Sequence, residues 1–330
     1  MEIIQIDRHY EKVLKIASKG DLASIQTLLK KHPEILNWPN EGHNRTLIWE
    51  AVNKNRKELI EYLIAQGADV NISGRYRNQT FVLLKPYCIA HRNGKEDLKN
   101  YLLEQGHQMD IFSLSYLGSG NEVLNKINSK RELLNLHQKE DELWKVTPLH
   151  FAVAGNNIST LETLLKSGAE VKKYSKLLYE IASRNDQLEI IKQLTKHGGA
   201  PSEIDVPNAF YNSNLEIIEY FVSNGLDCDK LFVHDWPPIA YLCRGDKGEH
   251  PKKVGALLKY IKNINAQTPT GISAMHAASK AGFLSVLKLL LENGGTINIK
   301  DKKGKTPLFY ARKHKREAAE DFLLKNGGIE

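Results

Sequence analysis

Near its C-terminus the chain reads Thr306-Pro307-Leu308-Phe309-Tyr310-Ala311, and the same phrase stands earlier as Thr147-Pro148-Leu149-His150-Phe151-Ala152. Ser273-Ala274-Met275-His276-Ala277-Ala278 and Thr46-Leu47-Ile48-Trp49-Glu50-Ala51 are looser copies. A phrase recurring at a steady period marks a fold of stacked supersecondary units, because one unit cannot bury its apolar face alone. The small residue ending each phrase can be followed through Ala17, Ala51, Ala90, Leu117, Ala152, Ala182, Ala209, Leu242, Ala278 and Ala311. The steps run from 27 to 39 residues, and ten units cover almost the whole chain.

Each unit carries the same punctuation. After the small residue comes a break such as Asn93-Gly94, Gly155-Asn156 or Ala281-Gly282, and then an apolar stripe. Leu59, Ile60, Leu63, Ile64 form one stripe and Val286, Leu287, Leu290, Leu291 another, spaced for one helix face. Seven stripes meet a helix-closing glycine: Gly67, Gly106, Gly168, Gly198, Gly225, Gly294 and Gly327. Units one, four and eight lack it. His32-Pro33, Lys130-Arg131 and Asn263-Ile264 stand there instead, so irregular helix ends are expected. Thr-Pro suits a first helix, since Thr can cap it and Pro needs no donor in the first turn.

These phrases resemble the Thr-Pro-Leu-His-x-Ala signature of the ankyrin-repeat family, whose period is about 33 residues. The resemblance implies an all-α solenoid of helix–turn–helix units joined by β-hairpin or irregular fingers. Residues 1–330 are read as a single array, with an N-terminal capping repeat over 1–40 and internal repeats over 41–300. A C-terminal capping repeat covers 301–330. Repeats near 108–135 and 230–265 bend the pattern: Leu117 and Leu242 replace the small anchor, and Gly245 to Pro251 is about four residues too long for the turn between helices. Glu2 to Lys12 should begin an extra piece of helix over the first repeat.

Composition agrees with a folded chain and narrows its setting. The hydrophobic fraction is 41% and the charged fraction 26%, which excludes wholesale disorder. No apolar run approaches the ~20 residues of a membrane span, and no membrane insertion is expected. Cys88, Cys228 and Cys243 form no CxxC pair and fit a reducing compartment, hence a cytoplasmic location. The net charge of +7 permits an acidic partner without demanding nucleic acid. A monomer is expected. Lys, Asn and Ile richness is compatible with an AT-rich bacterial genome, and so with an effector translocated into a host cell's cytosol to act on host proteins.

The resemblance implies non-enzymatic binding of a partner protein by the fingers and first helices, which line a concave face. Arg75, Tyr76 and Arg77, Trp144 and Trp236 lie in finger segments, and aromatics beside Arg have the composition of hot spots. A Trp at a finger base can equally pack beneath its neighbour. Two residues past the anchors stand Lys19, Asn53, Arg92, Ser119, Ala154, Arg184, Tyr211, Arg244, Lys280 and Lys313. Stacked, they would form a basic stripe for an acidic or phosphorylated peptide or a nucleic-acid backbone. Cations at helix C-termini also offset the helix dipole, by roughly 0.3–1 kcal/mol, so both explanations stand.

No HExxH, GxxxxGK or GxSxG motif occurs. Gly118-Ser119-Gly120 falls in a helix–helix turn without a preceding strand. Cys88 and His91 lack further ligands or a third catalytic group. His150 and His276 fill the signature His position, where loop backbone is the expected partner. Asp227, Cys228 and Asp229 read as a solvated finger. No cofactor or metal is implied, and no catalytic residue is assigned.

Overall fold

The computed structural model describes residues 2–40, 43–75, 81–139, 144–200, 214–227, 229, 235–245 and 248–330, with side chains from residue 10 onward. Among them are nineteen α-helices, which fall into two compact segments, Met1–Glu170 and Val171–Glu330.

The N-terminal segment holds five helical hairpins: α1 (Glu2–Lys19) with α2 (Leu22–Lys31), α3 (Leu47–Asn53) with α4 (Lys57–Ala65), α5 (Pro86–Arg92) with α6 (Glu96–Glu104), α7 (Ile111–Leu117) with α8 (Gly120–Ser129), and α9 (Pro148–Ala154) with α10 (Ile158–Lys166). The C-terminal segment opens with α11 (Ser175–Arg184) and α12 (Leu188–Lys196), followed by α13 (Leu215–Ser223). Three hairpins complete it: α14 (Pro238–Leu242) with α15 (Pro251–Leu258), α16 (Ala274–Ala281) with α17 (Leu284–Glu292), and α18 (Pro307–Lys313) with α19 (Glu317–Lys325). Ala209 lies outside the described residues. The fingers are of the irregular kind: among the described residues the one bridge is the antiparallel pair Gly74–Leu84.

The first helices start as the signature's chemistry dictates. Thr46, Ser273 and Thr306 each accept the backbone N–H three residues on, satisfying a donor that the helix itself leaves open. Ala17, Ala51, Ala90, Ala152, Ala182, Ala278 and Ala311 are fully buried where the helices meet. Four residues after the anchor, six repeats turn through a positive φ, at Asn55, Gly94, Asn156, Asp186, Gly282 and Lys315. The non-glycine members have φ of 53–57°, within the left-handed well that L-residues can occupy.

Repeat four corrects the anchor assignment. Leu117 is half-buried at the end of α7, and the fully buried small residue is Ser115, five past the N-cap Asp110. Counted from Ser115, the turn closes at Gly118, three residues on rather than four, with φ of 90°. Gly20 after Ala17 and Gly245 after Leu242 repeat this short turn, at 79° and 93°. These angles lie beyond the usual left-handed well of an L-residue, so the short turn favours glycine. Ser119 is accordingly the N-cap of α8 and not a C-terminal residue of α7.

The same three repeats end differently. Pro33–Leu36 and Arg131–Asn135 are 3-10 helices following α2 and α8, and the chain after α15 leaves through turns at Lys259 and Tyr260. Asparagine side chains join successive fingers. Asn37, Asn71, Asn265 and Asn298 donate to the carbonyls of Gly67, Gly106, Gly294 and Gly327 at 2.9–3.2 Å. They also accept the N–H groups of Asp69, Gln108, Thr296 and Ile329. In repeat eight the carboxylate of Glu249, from the enlarged turn, accepts the Val286 N–H at 2.9 Å and so caps α17 of the next repeat.

Candidate partner-binding groove

The C-terminal segment brings three sequence-proposed residues, Trp236, Arg244 and Lys280, into one groove of about 530 Å³. Its walls come from α16, α18, the fingers that precede them and the residues flanking α14. Arg244 follows α14, and its guanidinium lies over the rings of Trp236 and Tyr241, 5.1 Å from each centroid. Such cation–π contacts contribute about 0.5–1 kcal/mol at exposed sites, and here they also fix where the cation points. Because α14 ends at Leu242, Arg244 is outside the helix, and the dipole accounts for it less well than for Lys280 in the last turn of α16. Lys280 is exposed, as are Lys302 and Lys303 on the opposite finger.

The carboxylate beside these cations is held inward. Asp301 is 6% exposed and accepts hydrogen bonds from the Lys303 and Lys305 N–H groups at 2.8 Å and from the Tyr310 hydroxyl at 2.7 Å. Burial would push its carboxyl up, but the Tyr310 and backbone hydrogen bonds outweigh burial and keep it below the usual range. The same contact and desolvation raise the Tyr310 phenol to about 12. His276 also lines the groove but is not a cation there. Its Nδ1 accepts the Ser273 N–H, which places the ring proton on Nε2, within 3.0 Å of the Lys305 carbonyl. Desolvation holds its pKa below 6.5, so the ring is neutral near pH 7.

The other proposed residues sit elsewhere. Arg184 pairs with Glu180 at 2.7 Å in the last turn of α11. In the N-terminal segment Arg92 is exposed in the last turn of α5, and the Arg75 N–H donates to the His43 carbonyl at 2.7 Å. Trp144 is 39% exposed and meets Phe81 edge-on, with centroids 5.1 Å apart, so both readings of a finger tryptophan hold in part. Tyr76, Arg77 and Tyr211 lie outside the described residues, as does Cys228. Sequence reading missed Lys302, Lys303 and Tyr310 as groove residues. The run Lys300-Asp301-Lys302-Lys303 was the available signal, but its alignment with Arg244 and Lys280 depends on the stacking of repeats.

The remaining buried chemistry is structural. His150 is fully buried, accepts the Thr147 N–H at 3.0 Å, and is pushed down to about 3 by desolvation and by His137. Burial pushes the Cys88 thiol up to about 12 and raises Cys243 as well, which keeps both protonated near pH 7. Among the described residues there is no group of three potential metal ligands and no helix long and apolar enough to cross a membrane.

Stacked helical hairpins joined by fingers, with a groove on the first-helix face, define a repeat scaffold. The chain belongs to the ankyrin-repeat family: the profile "Ankyrin repeats (3 copies)" matches residues 208–330, and "Ankyrin repeat" matches 43–75 and 145–175. Ankyrin repeat domains are generally protein-binding scaffolds. The chain is 21% identical to the ankyrin repeat and KH domain-containing protein mask-1 of Caenorhabditis elegans, over 84% of this chain and 12% of that one. It is 26% identical to the palmitoyltransferase AKR1 of Lachancea kluyveri, over 52% of this chain and 25% of the relative. It therefore spans a small part of either protein. The human ASB11 ankyrin repeat domain superposes with a TM-score of 0.57 at 18% identity, covering 68% of this chain and 100% of that structure, which shows the fold alone.

Proposed function

We propose that the chain is a non-enzymatic scaffold that holds a partner polypeptide on its first helices and fingers, and that in the C-terminal segment this partner presents acidic side chains. The observation supporting this reading is the groove where Arg244, Lys280, Lys302 and Lys303 share one opening while Asp301 is turned inward. Charges at such a surface act mainly through specificity and association rate, and salt weakens them.

Affinity capture with the full chain tests this. The double variant Arg244→Glu, Lys280→Glu should lose its captured partner. Lys288→Glu with Lys325→Glu, the same charge change on the exposed second helices, should retain it. Equal recovery by both variants would sink the reading.

A further inference from the structure

We infer that the last two repeats hold a run of consecutive acidic residues in a flexible partner polypeptide; this rests on the scaffold reading above and names the segment it takes. The first argument is where the charge lies. Residues 300–316 hold eight Lys or Arg and one acid, Asp301, an excess of +7. The whole chain also carries +7, so everything outside this stretch balances. With Lys280 these cations form one patch. Lys280, Lys302 and Lys303 line the groove. The ammonium groups of Lys305 and Lys313 lie over the Phe309 ring, 4.2 and 5.9 Å from its centroid. The Arg316 Nε donates to the Lys280 carbonyl at 3.1 Å, which joins the cations of repeat ten to those of repeat nine. His314 sits half-buried among them and registers their field. Desolvation first, then Lys280, Lys313 and Arg316, hold its pKa below 6.5.

The second argument is what the patch lacks. The nearest carboxylates are committed elsewhere: Asp301 accepts from the Tyr310 hydroxyl, and Glu320 and Glu330 pair with Arg312 at 2.8 and 2.7 Å. Among the described residues none of Lys280, Lys302, Lys303, Lys305, Lys313 and Arg316 makes an ion pair with a carboxylate. Crowded like charges repel, and a ligand with closely spaced anions relieves that repulsion most. Five of these six cations are lysines. An ammonium is a point charge on a flexible stem, without the planar fork that recognises one carboxylate. Such a patch selects density of anions over their shape. The third argument separates an acidic chain from other polyanions. A groove of about 530 Å³ admits a chain, whereas a duplex or a bilayer surface would rest on its rim. Single-stranded nucleic acid binds by stacking bases on free aromatic rings. Here Phe309 already carries two ammonium groups, and Tyr310 meets Phe309 and His276 edge-on. A flexible acidic chain needs neither a flat support nor a free ring.

Fluorescence polarisation with the full chain and a labelled all-Glu octapeptide at 150 mM salt tests the assignment. This peptide should bind at least about tenfold more tightly than an octapeptide alternating Glu with Ser, which has half its charge density. The triple variant Lys302→Gln, Lys305→Gln, Lys313→Gln should weaken it by about tenfold or more. Lys30→Gln with Lys196→Gln and Lys288→Gln removes the same charge from exposed positions on α2, α12 and α17 and should change it by less than about twofold. At equal concentration of anionic groups, a twelve-base-pair DNA duplex and phosphatidylserine vesicles should each displace the probe less well than unlabelled all-Glu peptide. Circular dichroism melting checks each variant's fold. NMR titration of the parent chain needs no variant: the His314 pKa should rise when the peptide binds. Equal binding of the Glu–Ser peptide, better displacement by duplex or vesicles, indifference to the triple variant, or an unmoved His314 each overturns the assignment. Should the all-Glu peptide fail to bind while capture in the preceding experiment still depends on Arg244 and Lys280, the acidic run falls and the scaffold stands. Should capture ignore those two residues, the scaffold reading falls, and this assignment with it.

Discussion

Repeats four and nine build the same helical hairpin from different turns. In repeat nine the anchor is Ala278, the turn closes at Gly282 four residues on, and Gly294 ends the second helix. In repeat four the anchor is Ser115, the turn closes one residue earlier at Gly118, and a 3-10 helix at Arg131–Asn135 takes the place of the closing glycine. The finger clamp survives both routes. Asn265 accepts the Thr296 N–H, and Asn135 accepts that of Glu170. The difference appears in the repeat that follows. A Cβ on Gly155, in the turn of repeat five, would run into the carbonyl oxygen of Tyr116, to which the Asn157 amide donates. In repeat nine the corresponding residue after short-turned repeat eight is Ala281, whose methyl group lies 3.0 Å from where a Cβ on Gly245 would stand. In these two pairs the residue facing the shortened turn is small, so repeats four and five, and eight and nine, are matched, whereas after the short turn of repeat one the corresponding residue is Lys54.

The largest test of that pairing is Gly155→Val. Its φ of −81° is open to any residue, so the side chain is opposed by the Tyr116 backbone of repeat four and by the Asn157 amide that binds it. Overpacking against backbone should cost about 3 kcal/mol, read as a lower urea midpoint. The same stability as the parent chain would show that repeats four and five are not coupled through this contact.

Acid comes next. His150 and His276 bind the N-caps of repeats five and nine as neutral rings, while the first helix of repeat eight has no histidine. A histidine whose folded pKa is depressed stabilises the fold above its unfolded pKa of about 6.5 and loses that contribution as pH falls. For His150, held at about 3, the loss by pH 5 is of the order of 2 kcal/mol. Hydrogen exchange at pH 5 should therefore speed up in α9 and α16 before α14. Uniform acceleration would break the distinction.

The smallest effects have opposite signs. The Ser115 hydroxyl is buried without a hydrogen-bond partner among the described residues. Ser115→Ala should leave the melting temperature unchanged or raise it, by up to about 1 kcal/mol in stability. Ala278→Ser places the same hydroxyl in the regular repeat and should cost about 1 kcal/mol. Destabilisation by both would mean that Ser115 has a partner in solution.

Local signals made much of the fold legible. Thr and Ser caps, buried alanines and left-handed glycines each act within one turn of chain, so their identities survive reading residue by residue. Repeat four misled because Leu117 is apolar and lies at the right distance from its neighbours, whereas burial selects Ser115. The choice between them depends on which side of α7 faces α8, and a one-residue change in the turn rotates that side by about 100°. For the groove, Trp236, Arg244 and Lys280 were legible as a finger aromatic and two cations after anchors. Their association with Lys302, Lys303 and an inward-turned Asp301 was not.

The sequence by itself determined the repeat, its period, its caps and its excess of basic residues at helix ends, because these follow from short-range backbone chemistry. Only the tertiary structure decided which of those cations face an open groove, which are spent on a carboxylate as Arg184 is on Glu180, and which carboxylate is withdrawn from their company. Electrostatic neighbours a full repeat apart are set by stacking, and stacking depends on turn lengths and buried side-chain shapes summed over several repeats.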